Sequence, residues 1–255
     1  MNHVLAIALV TYREAVRNRV LYSLLFFVVL LIAVSVVLDN MTTGQSGRIV
    51  LNLGLAGVHL FGALIAIFLG VSLMSREIAR KTLYVTLAKP IGRTGFLVGK
   101  YLGLLATLAV LVALMGASLL AVTSMLGTPI GGPFLHAVAM TWVELAVLSA
   151  VAMVFSVFSG PFLSGMFTLG VFVIGHLSRG LKELGAGSDD PMLQAVTQAV
   201  YFLVPDLETF NFKAEALYQT SVSAVDTGLA LLYAAAYALV MLVLAGWIFT
   251  RRDFR

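Results

Sequence analysis

The chain has 255 residues, of which 60% are hydrophobic and only 11% are charged. Soluble domains average roughly 45 to 50% apolar and about 25% charged residues, so this composition excludes an ordinary water-soluble enzyme. The absence of cysteine excludes disulfides, thiolate metal sites and cysteine nucleophiles. The net charge is +4. In so hydrophobic a chain, Lys and Arg are interpreted first as signals that set the orientation of membrane spans.

The first predicted element is an amphipathic helix within residues 1–18. Its apolar side chains fall on one half of the helical wheel: Val4, Leu5, Ala8, Leu9, Tyr12, Ala15 and Val16. Its polar side chains fall on the other half: Arg13, Glu14, Arg17 and Asn18. This pattern predicts an interfacial helix that lies on the inner leaflet and contacts lipid headgroups. A simple basic anchor ahead of the first span is a compatible interpretation.

Six long apolar runs make up most of the chain, at residues 20–38, 49–74, 101–126, 134–158, 162–177 and 228–250. Each is close to or above the roughly 20 residues that a helix needs to cross a bilayer. Because the runs lack strict alternation, they are typical of helices and not of barrel strands. We therefore predict an all-α integral membrane protein with six transmembrane helices in one domain, 1–255.

The placement of basic residues predicts the orientation of these spans. Twelve of the 16 Lys and Arg residues precede span one, lie between spans two and three, or follow span six. The positive-inside rule then places both termini and the loop 75–100 in the cytoplasm. We expect the chain to be a multi-pass protein of the inner (cytoplasmic) membrane. The loop 178–227 is predicted to lie outside, where apolar spacing after Pro191 favours a short amphipathic helix or a packed loop.

The loop 75–100 carries the most informative pattern. On a helix, one face is basic and aromatic and holds Arg76, Glu77, Arg80, Lys81 and Tyr84. The other face is formed by Ile78, Thr82, Leu83, Val85 and Thr86, and Pro90 should end the helix near Ala88. Such a helix could dock into a groove on a cytosolic partner, and a solvated basic loop is the alternative.

The residues of this loop resemble those of ABC-2 type transporter permeases, and most closely the group associated with multicopper-enzyme maturation. The similarity lies in Glu77, Lys81-Thr82-Leu83, Leu87-Ala88-Lys89-Pro90, Arg93, Phe96 and Gly99-Lys100. Many members of that family carry Gly where this chain has Lys81. The six-span layout, the N-terminal helix, the outer loop and the Arg-rich tail 251–255 are also similar to the family.

The resemblance implies a permease subunit, with export as the favoured direction. Such a subunit pairs with a second permease copy, here expected to form a homodimer, and with two cytosolic ATPase subunits that bind ATP and Mg. The implied coupling surface comprises Glu77, Arg80, Lys81, Thr82, Leu83 and Tyr84, with Pro90 and Arg93 shaping the return into span three. This chain would bind lipids but no cofactor and no nucleic acid, and an outer-side partner could contact 178–227.

Glu144 is the one acidic residue within the six runs and is predicted to lie near the bilayer midplane. A charge at that depth costs about 2.5 to 3.5 kcal/mol on insertion scales, so Glu144 should face protein or water. It is interpreted either as a pathway or gating residue or as a packing residue. His59, His136 and His176 show no metal-binding spacing, and polar contacts between helices or anchoring at the membrane interface are the favoured interpretations, so no metal ligand is predicted.

No catalytic residue is predicted. Residues 95–101 lack the spacing and the Ser or Thr of a phosphate-binding loop, and Gly95, Gly99 and Gly103 are interpreted instead as a small-residue series for close helix packing. Two alternatives to a permease remain. A homo-oligomeric channel would need Glu144 to form a ring of charge. A rhomboid-like serine protease would need a nucleophile such as Ser164, which lacks the Gly-x-Ser-Gly signature.

Overall fold

A computed structural model describes residues 3–16, 25, 26, 28–30, 32, 33, 36, 37, 46–79, 93–127, 130–188 and 190–251. The helices are α1 (His3–Val16), α2 (Ser46–Ala79), α3 (Arg93–Met125), α4 (Gly132–Phe158), α5 (Pro161–Ala186), α6 (Pro191–Leu203), α7 (Lys213–Tyr218) and α8 (Ala224–Arg251). A 3-10 turn at Leu207–Phe210 separates α6 from α7. The described part of the chain is therefore helical, as predicted.

Proline and short polar side chains set the starts of several helices. Pro161 and Pro191 occupy the first turns of α5 and α6, where the N–H that proline lacks would have had no helical partner. Asp190 caps α6, because its carboxylate accepts a hydrogen bond from the N–H of Met192 at 2.9 Å.

Five of the described helices are long and apolar enough to cross a membrane, namely α2, α3, α4, α5 and α8. They contain the predicted runs 49–74, 101–126, 134–158, 162–177 and 228–250 almost entirely. The predicted first span, 20–38, falls mostly outside the described residues, and its described positions are helical. Six spans therefore remain a prediction.

Helices α3 and α5 are longer than the apolar runs that predicted them. Helix α3 begins at Arg93 and not at Tyr101, and α5 continues past Leu177 to Ala186. The charge of Lys100 ends the apolar run in the sequence but not the helix, because lysine is a good helix former. Its Nζ lies 3.7 Å from a Glu14 carboxylate oxygen.

Helix α4 lies at the centre of the bundle. In its most apolar stretch 72% of the residues are buried, as in α2. The corresponding share is 22% for α8, which therefore lies at the periphery. One apolar cluster fills the middle, with Leu145 and Leu148 fully buried. A second cluster packs Phe96, Tyr101 and Phe249 around α4 toward the other end. Residues 190–223 cover the end of the bundle where α4 begins, which we name the loop end.

Helix α1 packs against the first half of α3. A Cβ placed on Gly99 would lie 2.9 Å from Ile7 Cβ, and one on Gly103 would lie 2.5 Å from the carbonyl oxygen of Ala8. Gly95 is less crowded, with Val4 at 3.9 Å. The small-residue series thus faces α1, whose Leu5 and Val10 point away from the bundle and are about 60% exposed. Those exposed apolar side chains are suited to contact lipid.

Candidate functional site

The side chain of Glu144 lies in the interior of the bundle. Helix α4 places it about 18 Å from its start at Gly132, at 1.5 Å per residue. It is 1% exposed and has the buried Val143, Leu145 and Leu148 as neighbours along the helix. A carboxyl group in such surroundings needs hydrogen-bonding or charged partners.

His59 of α2 is the first partner of Glu144. Its Nε2 lies 2.8 Å from Oε1 and 2.7 Å from Oε2 of Glu144, and its side chain is 10% exposed. A ring N–H donates to a carboxylate with roughly twice the strength of a neutral hydrogen bond. This contact therefore joins α2 and α4, the two most buried of the five long apolar helices that the structure describes.

His176 of α5 is the second partner. Its Nδ1 lies 2.8 Å from the carbonyl oxygen of Phe172, which can only accept, so Nδ1 carries a proton. Its Nε2 lies 3.3 Å from Glu144 Oε1 and 3.2 Å from His59 Nε2. In the neutral ring this Nε2 holds a lone pair directed at the other two side chains, and in the charged ring it donates to Glu144.

Lys213 of α7 extends from the loop end and contacts the His59 ring. Its Nζ lies 3.5 Å from His59 Nδ1, so that a donating ammonium leaves the proton of a neutral His59 on Nε2. Burial lowers the pKa of Lys213, and the carboxylates of Glu144 and Glu208 oppose that shift. We name His59, Glu144, His176 and Lys213 the polar cluster.

Phe172 closes one side of the polar cluster. Its ring centroid lies 4.7 Å from that of His176 and 5.6 Å from that of His59. The ligand atoms that His59, Glu144 and His176 offer lie within 4.8 Å of one another, close enough to bind one metal ion. The cluster can therefore hold a cation or relay a proton between three helices.

Glu144 stood out in the sequence, whereas the histidines were interpreted there as separate contacts. The structure shows the interhelical contacts of His59 and His176 and adds Lys213, which the sequence had not indicated. No short motif could reveal this set, because its members lie on α2, α4, α5 and α7. The one available signal was that His59 and Glu144 both lie deep in apolar runs, where polar side chains need partners.

His136 lies apart from the polar cluster. Its Nε2 lies 3.0 Å from Thr227 Oγ1, and its ring packs edge-on against Phe212 at 4.7 Å. It joins α4 to α8 near the loop end and offers a matched control for the clustered histidines.

The predicted coupling surface is only partly within the described residues. Glu77 belongs to the last turn of α2 and Arg93 is the first residue of α3. The other predicted coupling residues lie outside the described residues: Arg80, Lys81, Thr82, Leu83, Tyr84 and Pro90. Their role stays a prediction.

The geometry does not favour the two alternative functions. Glu144 is enclosed by helices of its own chain, whereas a ring of charge in a homo-oligomeric channel must face a shared pore. Ser164 Oγ is bonded to the carbonyl oxygen of Gly160 at 2.9 Å and to Ser159 Oγ at 2.6 Å, and neither is a general base.

A cleft of about 700 Å³ opens at the loop end between α8 and the segment 201–215. Its wall includes Asp206, whose carboxylate accepts from Arg179 Nε at 2.7 Å. The N–H of Asp206 donates to Tyr233 Oη at 2.9 Å and so ties the segment to α8. In its described residues, the predicted outer loop thus forms a cap on the loop end of the bundle.

Comparison with known protein families matches residues 5–254 to the ABC-2 family transporter protein. A search of curated proteins gives no match. The family prediction made from the loop 75–100 is confirmed, while the multicopper-enzyme maturation subgroup stays a prediction. The match covers nearly the whole chain, and with five long apolar helices it indicates a multi-pass membrane protein. The chain belongs to the ABC-2 family of transporter proteins.

Proposed function

We propose that this permease subunit of an ABC transporter is an exporter that works as a homodimer with two cytosolic ATPase subunits. The observation that carries the proposal is the family match over residues 5–254. Members of this family are membrane components without an ATPase site of their own. In this chain, residues 95–100 form the first turns of α3 and lack both the spacing and the Ser or Thr of a phosphate-binding loop.

The lengths of α2 and α3 support a coupling role for the segment between them. Helix α2 has 34 residues and is about 50 Å long, which exceeds the roughly 30 Å of a bilayer core. It continues beyond Leu73, where its apolar span ends, and α3 begins at Arg93. A movement imposed on residues 80–92 by an ATPase would be transmitted into the bundle by two long helices.

Helix α2 also connects this segment to the polar cluster. His59 lies about 30 Å along α2 from Ala79, and its ring is bonded to Glu144 of α4. A displacement of α2 against α4 must carry this contact along or break it. We propose that Glu144 gates the pathway in this way and that His59 is the α2 side of the gate.

The loop end is proposed to receive an outer-side partner or the exported substrate. Its cleft combines carboxylates with the aromatic rings of Tyr201, Tyr233 and Tyr237, an arrangement suited to a ligand with both cationic and apolar parts. Work on a partner at this cap, without passage of a solute, is the mechanical form of the same proposal.

Site-specific crosslinking tests the ATPase partnership. The chain has no native cysteine, so a single cysteine can replace Tyr84 in the predicted coupling helix or Ala186 at the far end of α5. After crosslinking in native membranes, mass spectrometry should identify a protein with an ATP-binding cassette on Tyr84→Cys only. Capture of that ATPase by Ala186→Cys alone, or by neither variant while both remain in the membrane, would contradict the proposal.

A further inference from the structure

We propose that His59, Glu144 and His176 form a binding site for one divalent transition-metal ion of the zinc type. Two imidazole nitrogens and a carboxylate are a donor set that suits Zn²⁺ and similar ions, whereas Mg²⁺ and Ca²⁺ prefer oxygen donors alone. The three side chains come from α2, α4 and α5, so a bound ion would join three helices. The site stands on this geometry and does not depend on the proposed export function.

The spacing of the donor atoms fits a tetrahedral ion closely. With bonds of 2.0 to 2.1 Å, two donors of a tetrahedral Zn²⁺ lie about 3.3 Å apart. The two Nε2 atoms are 3.2 Å apart, and His176 Nε2 lies 3.3 Å from Glu144 Oε1. The third edge, from His59 Nε2 to the carboxylate, is 2.7 to 2.8 Å. Only that edge must open, by about half an ångström, when an ion replaces the hydrogen bond.

The orientation of His176 is already that of a metal ligand. Its Nδ1 donates to the Phe172 carbonyl at 2.8 Å, which leaves the lone pair of the neutral ring on the inward Nε2. Ligating histidines characteristically donate their second ring N–H to a carbonyl or carboxylate in this manner. The helix itself supplies the acceptor, because Phe172 lies one turn before His176.

His59 must change its tautomer to ligate. With the Lys213 ammonium donating to Nδ1, the proton of the neutral ring is on Nε2, so ligation through Nε2 requires the tautomer that is protonated on Nδ1. Once Nδ1 is protonated it can no longer accept a hydrogen bond from the Lys213 ammonium, whose Nζ lies 3.5 Å away. Metal binding would thus exchange the contact between α7 and α2 for a bond that joins α2 to α4 and α5.

The test is a Zn²⁺ titration of the purified full-length chain in lipid nanodiscs, with an affinity tag that contains no histidine. Calorimetry should show one Zn²⁺ per chain. Binding should weaken at least about 100-fold in His59→Gln and in His176→Gln, since loss of a ligand exceeds the 10- to 100-fold effect of losing an outer-shell partner. His136→Gln is the matched control and should bind as the wild type does.

Cobalt supplies a second measurement. Co²⁺ in a site of two nitrogens, a carboxylate and a fourth ligand should give the intense visible absorption of tetrahedral cobalt, and Glu144→Gln should abolish it. The proposal is wrong if the folded wild type binds no stoichiometric Zn²⁺, or if His59→Gln and His176→Gln bind as tightly as His136→Gln. The first of these two results is measured on the wild type, so it does not depend on whether any variant folds. Because no ATPase is present in either assay, failure here leaves the export proposal untouched, and the crosslinking result leaves the metal site untouched.

Discussion

The contact between His59 and Glu144 should be the strongest polar interaction between helices in the described bundle, and a double-mutant cycle measures it. The cycle compares His59→Leu, Glu144→Leu and the double variant. Neutral hydrogen bonds between membrane helices contribute about 0.6 kcal/mol on average and at most about 1.7 kcal/mol. Hydrogen bonds to charged groups contribute about 1.5 to 3 kcal/mol, and this imidazole reaches both carboxylate oxygens within 2.8 Å.

We therefore expect a coupling free energy of about 1.5 to 3 kcal/mol. A fully isolated buried charge would raise the cost of a single substitution to about 3 to 5 kcal/mol. When one partner is removed, His176 still contacts Glu144 and Lys213 still contacts His59. The cost of each single substitution should therefore stay below that range. The free energies of unfolding can be obtained by titrating reconstituted protein with denaturing detergent and following helix content by circular dichroism.

A second cycle on His136 and Thr227 is the control. This pair also joins two spanning helices, at 3.0 Å, but it involves a neutral hydroxyl near the loop end. Its coupling should be close to the 0.6 kcal/mol average. If the His59–Glu144 coupling is no larger than that of the control, the strength assigned to the buried carboxylate contact is refuted.

Three further predictions concern other parts of the molecule. Gly103→Ala should destabilise the bundle by about 1 to 3 kcal/mol in thermal unfolding, because its Cβ would crowd the α1 backbone, while Gly180→Ala, which meets open space, should not. Glu144→Gln should abolish transport by the assembled complex while leaving its assembly normal by size-exclusion chromatography, a result not expected of a residue that serves packing alone. Arg80→Glu combined with Lys81→Glu should remove permease-stimulated ATP hydrolysis without unfolding the bundle, and unchanged stimulation would contradict the coupling role.

Helix content and the location of the apolar helices were predictable because both depend on local composition. A run of about 20 apolar residues must form a helix in a bilayer, whatever its neighbours, since the backbone has no other hydrogen-bonding partners there. The ends of the helices were less predictable. Helix α3 extends back to Arg93, beyond the apolar run that predicted it, because a helix can continue through charged residues such as Lys100 that an apolar run excludes.

The family was also predictable, because its sharpest signal is a short contiguous stretch between the second and third apolar runs. The buried Glu144 was singled out correctly as a residue that needs partners, since its cost in an apolar run is independent of the fold. Its actual partners were not predictable. His59 is 85 residues before it along the chain, and a histidine in an apolar run can face lipid, another helix or water.

Composition and local pattern alone thus determined that this is a helical membrane protein, where its long helices lie and which family it belongs to, because each of these depends on residues close together in the chain. Tertiary structure decided which face each helix turns inward and how far it is shifted along its neighbours. A rotation of α2 or a one-turn shift of α5 would separate His59 and His176 from Glu144, since one turn moves a side chain by 5.4 Å. Only the packed bundle brings donor atoms from three helices within 4.8 Å of one another.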